Sequence, residues 1–227
     1  MRKTALALVL VGLLFPALAA GQAAVAIQGP PQEAGTFLKP DLVELVGLDS
    51  TIHLDVRYAT ANNLVGRPVY TEARAFLQRP AAEALVRVSA ALEKSGYGLL
   101  VFDGYRPWSV TKMLWDATPP EKREFVADPS KGSKHNRGCA VDLSLYAVAT
   151  GREVGMPSAF DEMSPRAYPS YTGGTDAERA ARDLLRQVME GEGFTVEQNE
   201  WWHFNYRDCP SYPILNLQFS QIGRSQR

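Results

Sequence analysis

The chain has 227 residues, 45% hydrophobic and 22% charged, in the proportions of a folded globular protein rather than a disordered or low-complexity one. Its formal charge is −1, with acids and bases interspersed, so no basic cluster is present to neutralise a run of phosphates and nothing suits a nucleic-acid partner. The length fits one domain plus an export segment.

Arg2 and Lys3 precede an apolar run from Ala5 to about Leu14, which ends in small residues around Ala17 and Ala19. That order predicts a signal peptide over residues 1–20, cleaved on export, and places the mature protein in the periplasm. The apolar run is shorter than the ~20 residues that cross a bilayer, so no membrane span is expected after signal removal. Cleavage removes two bases and leaves the acids three in excess. Residues 21–36 are rich in Gly, Pro and Gln and read as a flexible lead. From 37 to 227 there is neither repeat nor linker, which predicts a single domain.

Thr51 to Tyr58 alternates, with Ile52, Leu54 and Val56 on one face, and predicts a half-buried strand. Pro80 opens a helix whose apolar positions are Leu85, Val88 and Leu92, with Gly96 as its stop. Gly98 to Asp103 reads as a strand running into the turn Gly104-Tyr105-Arg106-Pro107. Cys139 to Tyr146 alternates again, sending Val141, Leu143 and Leu145 to a core and Asp142 to the other side. A helix from about Asp176 to Glu190 carries Leu184, Leu185 and Val188 as its stripe. Strands at Phe194–Glu197 and Trp201–Tyr206 complete the pattern. The irregular order of strands and helices predicts an α+β fold, with a mainly antiparallel sheet, flanking helices and the site on the sheet face.

The chain has three histidines. His53 lies on the polar face of an early strand and reads as a surface or hydrogen-bonded residue. His135 and His203 lie in polar, sharply punctuated segments. A catalytic zinc takes three protein ligands and keeps one position open, so two histidines need one more donor. Asp142, seven residues after His135 and turned away from the core, supplies it. Glu200, three residues before His203, can reach the same site as general base and then acid. The tryptophans read first as core or pocket walls.

Cys139 and Cys209 each lie a few residues beyond one of these histidines. In an oxidising compartment they are candidates for a disulfide joining the two ligand-bearing segments. A thiolate ligand is the other reading, opposed by the strand register of Cys139 against Asp142.

The blocks Asp55–Leu64 (DVRYATANNL), Asp103–Pro107 (DGYRP), Ser133–Leu143 (SKHNRGCAVDL), Phe160–Ser164 (FDEMS) and Glu200–Phe204 (EWWHF) resemble the D-alanyl-D-alanine dipeptidases. These are zinc peptidases related to vancomycin-resistance dipeptidases, D,D-carboxypeptidases and the Hedgehog zinc domain. The resemblance, over roughly residues 43 to 219, implies His135, Asp142 and His203 as ligands of one zinc ion and Glu200 as base. It implies Arg106 as the cation that stabilises the oxyanion, a task for which a positioned donor beside a metal site is physically suited. A free dipeptide carries an ammonium and a carboxylate; Asp161 and Asp103 are the candidates for the first, with Ser133 and Tyr58 as further donors. The bland reading of Asp103 is a turn cap. The expected function is hydrolysis of D-Ala-D-Ala in peptidoglycan turnover. The alternatives are a D,D- or L,D-carboxypeptidase acting on muropeptide stems, or a non-catalytic zinc or wall-binding module, which would need neither Glu200 nor Arg106.

Overall fold

The computed structural model describes residues 29–223. The predicted signal segment and the first part of the lead lie outside the described residues. The rest of the lead is tied to the domain, because Glu33 pairs with Arg137 and accepts a hydrogen bond from the Ile214 amide at 2.6 Å.

A small antiparallel sheet pairs β1 (Leu42–Glu44) with β3 (Phe76–Gln78), and a one-turn helix α1 (Leu45–Leu48) follows β1. The main sheet runs in the order β2 (His53–Leu54), β4 (Tyr97–Asp103), β5 (Ala140–Ala147), β8 (Glu200–Tyr206), β7 (Phe194–Glu197), with β6 (Arg152–Glu153) paired to the end of β5. This sheet is mixed, not the mainly antiparallel one predicted, because β2 runs parallel to β4. The chain between them crosses over through helix α2 (Arg79–Glu93), which returns it in the same direction. With only two residues, β2 left too short a pattern for that crossover to be legible. The strand expected over 51–58 ends early, in a 3-10 turn at Arg57–Ala59.

One face of the sheet is covered by α2 and α4 (Asp176–Gly191). Leu85, Val88 and Leu92 of α2 are fully buried, as their spacing predicts, in one core with Leu99, Val101, Val141, Leu143, Leu145 and Phe204. On α4 the buried stripe is Ala181, Leu185 and Met189, while Leu184 and Val188 flank it half-buried. Thr175 and Glu178 close a capping box at its start, each bonding the other's backbone amide. Each large apolar side chain buried here stabilises by about 1.5–3 kcal/mol.

The polar turn after β4 leads into α3 (Trp108–Ala117), whose Val110 and Leu114 join Tyr58, Tyr70, Phe76, Tyr105 and Phe219 in a second, aromatic core. The sequence reading assigned no helix there. Among the described residues, no helix is long and apolar enough to cross a membrane.

Candidate metal centre and active site

The two central strands carry two of the predicted ligands opposite each other. Asp142 of β5 and His203 of β8 are register partners, so their side chains share a face, while the adjacent pair Val141 and Phe204 enters the apolar core. His135 sits in a 3-10 turn (His135–Arg137) that Gly138, at φ 71°, reverses into β5. A side chain at Gly138 would be strained by that φ and would also collide with the Leu42 side chain.

All three residues are buried, and they form a group that could hold a metal ion. His135 Nε2 lies 3.1 Å from His203 Nδ1 and 3.3 Å from Asp142 Oδ2, and His203 Nδ1 lies 3.1 Å from Asp142 Oδ1. Ligand atoms at ~2.0–2.1 Å from a zinc ion, at tetrahedral angles, stand about 3.3 Å apart. The neighbouring donors therefore approach one another at zinc spacing, each histidine nitrogen against a different oxygen of Asp142.

The hydrogen bonds around it agree. His135 Nδ1 contacts the Gly104 carbonyl at 2.7 Å and His203 Nε2 contacts Asn205 Oδ1 at 2.9 Å. Both partners accept only, so each ring holds its proton on the outer nitrogen and turns a lone pair inward. In that tautomer Asp142 Oδ1 is buried without a donor. A buried carboxylate oxygen without a donor, facing a nitrogen lone pair of His203, fits a cation.

Without the cation, a proton takes its place. Burial alone would lower His203, but the Asp142 hydrogen bond and charge overcome it and hold the imidazole up to about 9. Burial lowers His135. Asp142, despite burial, is held well below the usual carboxylate range by the two histidines.

Glu200 approaches from the start of β8, with Oε2 at 3.5 Å from His203 Nδ1. Residues three apart on a regular strand point to opposite faces. Here the pairing of β7 with β8 shifts between Val196 and Glu197, leaving Trp201, Trp202 and His203 with no counterpart on β7. That irregularity brings Glu200 beside His203. Burial, reinforced by the charges of Asp142 and Asp161, pushes the Glu200 carboxyl up to about 8.

A second irregularity serves the other side. Between Val101 and Asp103 the β4–β5 register slips by one residue, so Asp103 pairs with Asp142 and shares its face instead of following Val101 into the core. There Asp103 accepts from Arg106 Nε at 2.8 Å, from the Tyr70 hydroxyl at 2.9 Å and from the Gly104 amide at 2.9 Å. These bonds commit Asp103 to holding Arg106 and the turn, so of the two predicted ammonium partners Asp161 is the one left available.

Arg106 reaches Asp142 with Nη2 at 3.3 Å and lies over the Tyr58 ring, 5.0 Å from its centroid. Asp103 and its neighbours keep the guanidinium charged against the cost of burial. Tyr58 donates to Asp161, 3.1 Å from Oδ2. Asp161 is the described non-glycine residue with positive φ, 60°, and burial together with the Asp142 charge pushes it up to about 7. Ser133 Oγ accepts from the His135 amide at 3.2 Å.

A cavity of about 250 Å³ opens over Glu200 and His203 and is lined by Phe125, Ser133, Lys134 and Glu197. A second, small cavity of about 10 Å³ is lined by Asp161 and Trp202 and borders the first at Phe125 and Glu200. A larger groove of about 920 Å³ shares the Lys134 and Glu197 wall but contains none of the three ligand candidates.

Cys139 and Cys209 form a disulfide, with Cα atoms 5.3 Å apart. It joins the segment entering β5 to the turn after β8. Closing a ring of this length stabilises the fold by about 4 kcal/mol. His53 lies apart from the site, exposed and stacked on Tyr146 at 3.9 Å.

Sequence reasoning missed three supporting residues. Asn205 follows His203 by one strand period, a signal that was present. Tyr70 carried none. Asn136 ties the loop together: it donates to the Arg106 carbonyl and Thr111 Oγ1, both at 2.8 Å, and accepts from the Ser133 amide.

Two histidines and a carboxylate at zinc spacing, with a half-buried glutamate beside them and a fixed arginine opposite, are the equipment of a metallopeptidase. The comparisons agree. The chain belongs to the D-ala-D-ala dipeptidase family, a metallopeptidase family whose model matches residues 39–223. It is 36% identical over 180 residues to the D-alanyl-D-alanine dipeptidase of Escherichia coli (strain K12), covering 79% of this chain and 92% of that one. It is 36% identical over 193 residues to the D-alanyl-D-alanine dipeptidase of Enterococcus faecium, covering 76% and 95%. A third D-alanyl-D-alanine dipeptidase, of Enterococcus faecalis (strain ATCC 700802 / V583), is 35% identical over 194 residues, covering 76% and 96%.

Proposed function

We propose that this protein is an exported zinc dipeptidase that hydrolyses D-Ala-D-Ala in peptidoglycan turnover. The reading is carried by the cluster of His135, Asp142 and His203, whose nitrogens and carboxylate oxygens approach one another to 3.1–3.3 Å, with Glu200 at its edge. His135 Nε2, His203 Nδ1 and Asp142 would hold one zinc ion on the sheet face. When bound, zinc supplies a Lewis acid and an acidified water.

The chain's own groups carry the rest. Glu200, its basicity raised by burial, takes the proton of the attacking water and delivers it to the leaving amine. Arg106 has Nε and Nη2 fixed by Asp103 and Asp142, which directs Nη1 to the charge developing on the carbonyl oxygen. Asp161, with Tyr58 behind it, receives the substrate ammonium. The Ser133 hydroxyl, on the cavity wall, donates to the substrate carboxylate. An anion placed for a free ammonium disfavours a longer peptide whose amine is acylated. Export rests on the N-terminal pattern of Arg2, Lys3 and the apolar run.

The test is incubation of metal-loaded protein with D-Ala-D-Ala, L-Ala-L-Ala and a stem pentapeptide, each with a chelator control. Chelator-sensitive cleavage of D-Ala-D-Ala is expected. Cleavage of the pentapeptide but not the dipeptide would make the protein a carboxypeptidase, and zinc binding without cleavage would make it a binding module.

A further inference from the structure

Behind His203 the hydrogen bonds continue outward in one direction. Asn205 Oδ1 faces His203 Nε2 at 2.9 Å, and Asn205 Nδ2 donates to Glu197 Oε2 at 3.1 Å. The same Oε2 takes Lys134 Nζ at 3.3 Å, and Lys134 directly precedes the other histidine of the triangle. An amide can present either its oxygen or its nitrogen to an imidazole, with opposite consequences for the ring proton. A carboxylate has no such freedom, since it only accepts.

We infer that Glu197 is a positioning residue for the metal centre: by accepting from Asn205 Nδ2 it fixes the amide flip, and the amide oxygen then fixes the His203 proton on Nε2. The Nδ1 lone pair is thereby held towards Asp142 and His135. If Asn205 turned over, its NH2 group would face Nε2, the proton would move to Nδ1 and the inward lone pair would be lost. Glu197 borders the cavity over Glu200 and His203 but makes no hydrogen bond to any of the three donors, so its hydrogen-bonded route to them runs through Asn205. Lys134 holds it from the solvent side, on the wall between the two cavities. Sequence supplied no hint, because Glu197 belongs to β7 and meets Asn205 only across the β7–β8 pairing.

The inference rests on the metallopeptidase reading, so its test measures metal binding instead of turnover. Zinc affinity is determined by chelator competition on the full chain, and the visible absorption of the Co(II)-substituted protein reports ligand geometry. N205A is expected to weaken zinc about 10- to 100-fold, and E197A about 10-fold. E197Q can offer Asn205 either its oxygen or its nitrogen and is expected to bind zinc with an affinity between those of the parent and E197A. The double variant N205A/E197A is expected to be no weaker than N205A alone, because the second residue acts only through the first.

N205D presents only oxygens to Nε2 and so fixes the ring proton without help from Glu197; in that background E197Q, which removes the repulsion between the two carboxylates, is expected to cost no zinc affinity. This pair decides the matter even if E197A does not fold. Parent-like zinc binding by E197A, multiplying losses in the double variant, or a further loss from N205D to N205D/E197Q would overturn the inference while leaving the metal centre standing. A parent protein that binds no metal would overturn the metallopeptidase reading, and this inference with it.

Discussion

Arg106 and Asp103 form a buried ion pair, Nε to Oδ2 at 2.8 Å, across a single turn of chain. Removing the arginine leaves a buried carboxylate without its counter-ion and takes away the proposed oxyanion donor. Arg106→Ala should therefore cost about 3–5 kcal/mol of stability. In the fraction that remains folded, kcat should fall about 10²- to 10³-fold. Asp103→Asn combined with Arg106→Met should restore part of the stability and none of the turnover. Chemical unfolding and steady-state kinetics on the same preparations separate the two effects, and full turnover in either variant would remove Arg106 from the chemistry.

Glu200→Gln keeps the shape of the side chain and removes the proposed base. Metal content should stay at the parent level while kcat falls about 10²- to 10⁴-fold. Elemental analysis beside the kinetics checks this. A variant that loses its metal, with activity in proportion to what remains bound, would make Glu200 a ligand or its support.

Metal and protons compete for one site, and the sign can be worked out. In the metal-free protein His203 is raised to about 9, Glu200 to about 8 and Asp161 to about 7, so between about pH 4.5 and 9 the folded chain binds more protons than the unfolded one. Its stability should fall as pH rises through that window. Zinc requires His203 without its inner proton, so apparent zinc affinity should rise with pH towards 9, and loading near pH 7 should release protons. The melting temperatures of metal-free and loaded protein should therefore separate further as pH increases from 6 to 9. A constant gap across that range would contradict the assignment.

Asp161 is held at φ 60°, a conformation that asparagine tolerates and alanine does not, so Asp161→Asn is the informative substitution. Losing the anion should raise KM for free D-Ala-D-Ala about 10- to 100-fold, the worth of a charged hydrogen bond. Hydrolysis of an N-acetylated dipeptide should be little changed. Equal losses on both substrates would place the ammonium elsewhere.

The donors were legible because histidine is scarce here and because Asp142 breaks an apolar alternation whose core members, Val141, Leu143 and Leu145, are buried as read. The helices at Arg79–Glu93 and Asp176–Gly191 were equally plain from their spacing and caps. Ideal periodicity fails at the two places where the site departs from it. Without the slip before Asp103, that carboxylate would follow Val101 towards the helices. Without the unpaired stretch Trp201–His203, Glu200 and His203 would face opposite ways. Such irregularities exist only between strands, and a single strand's pattern does not record them. The parallel β2 escaped for a similar reason, since its two residues are placed by β4 and not by their own alternation.

The Cys139–Cys209 bond makes one closed covalent loop out of the stretch that holds Asp142, Asp161, Glu200 and His203, while Tyr58, Asp103, Arg106 and His135 lie on the strand of chain that enters it. A single backbone cut within the loop, for instance in the exposed stretch around Gly174 and Thr175, leaves one molecule held together by sulfur. Nicking then need not mean dismemberment: the severed ends can fray while β5 and β8 stay side by side.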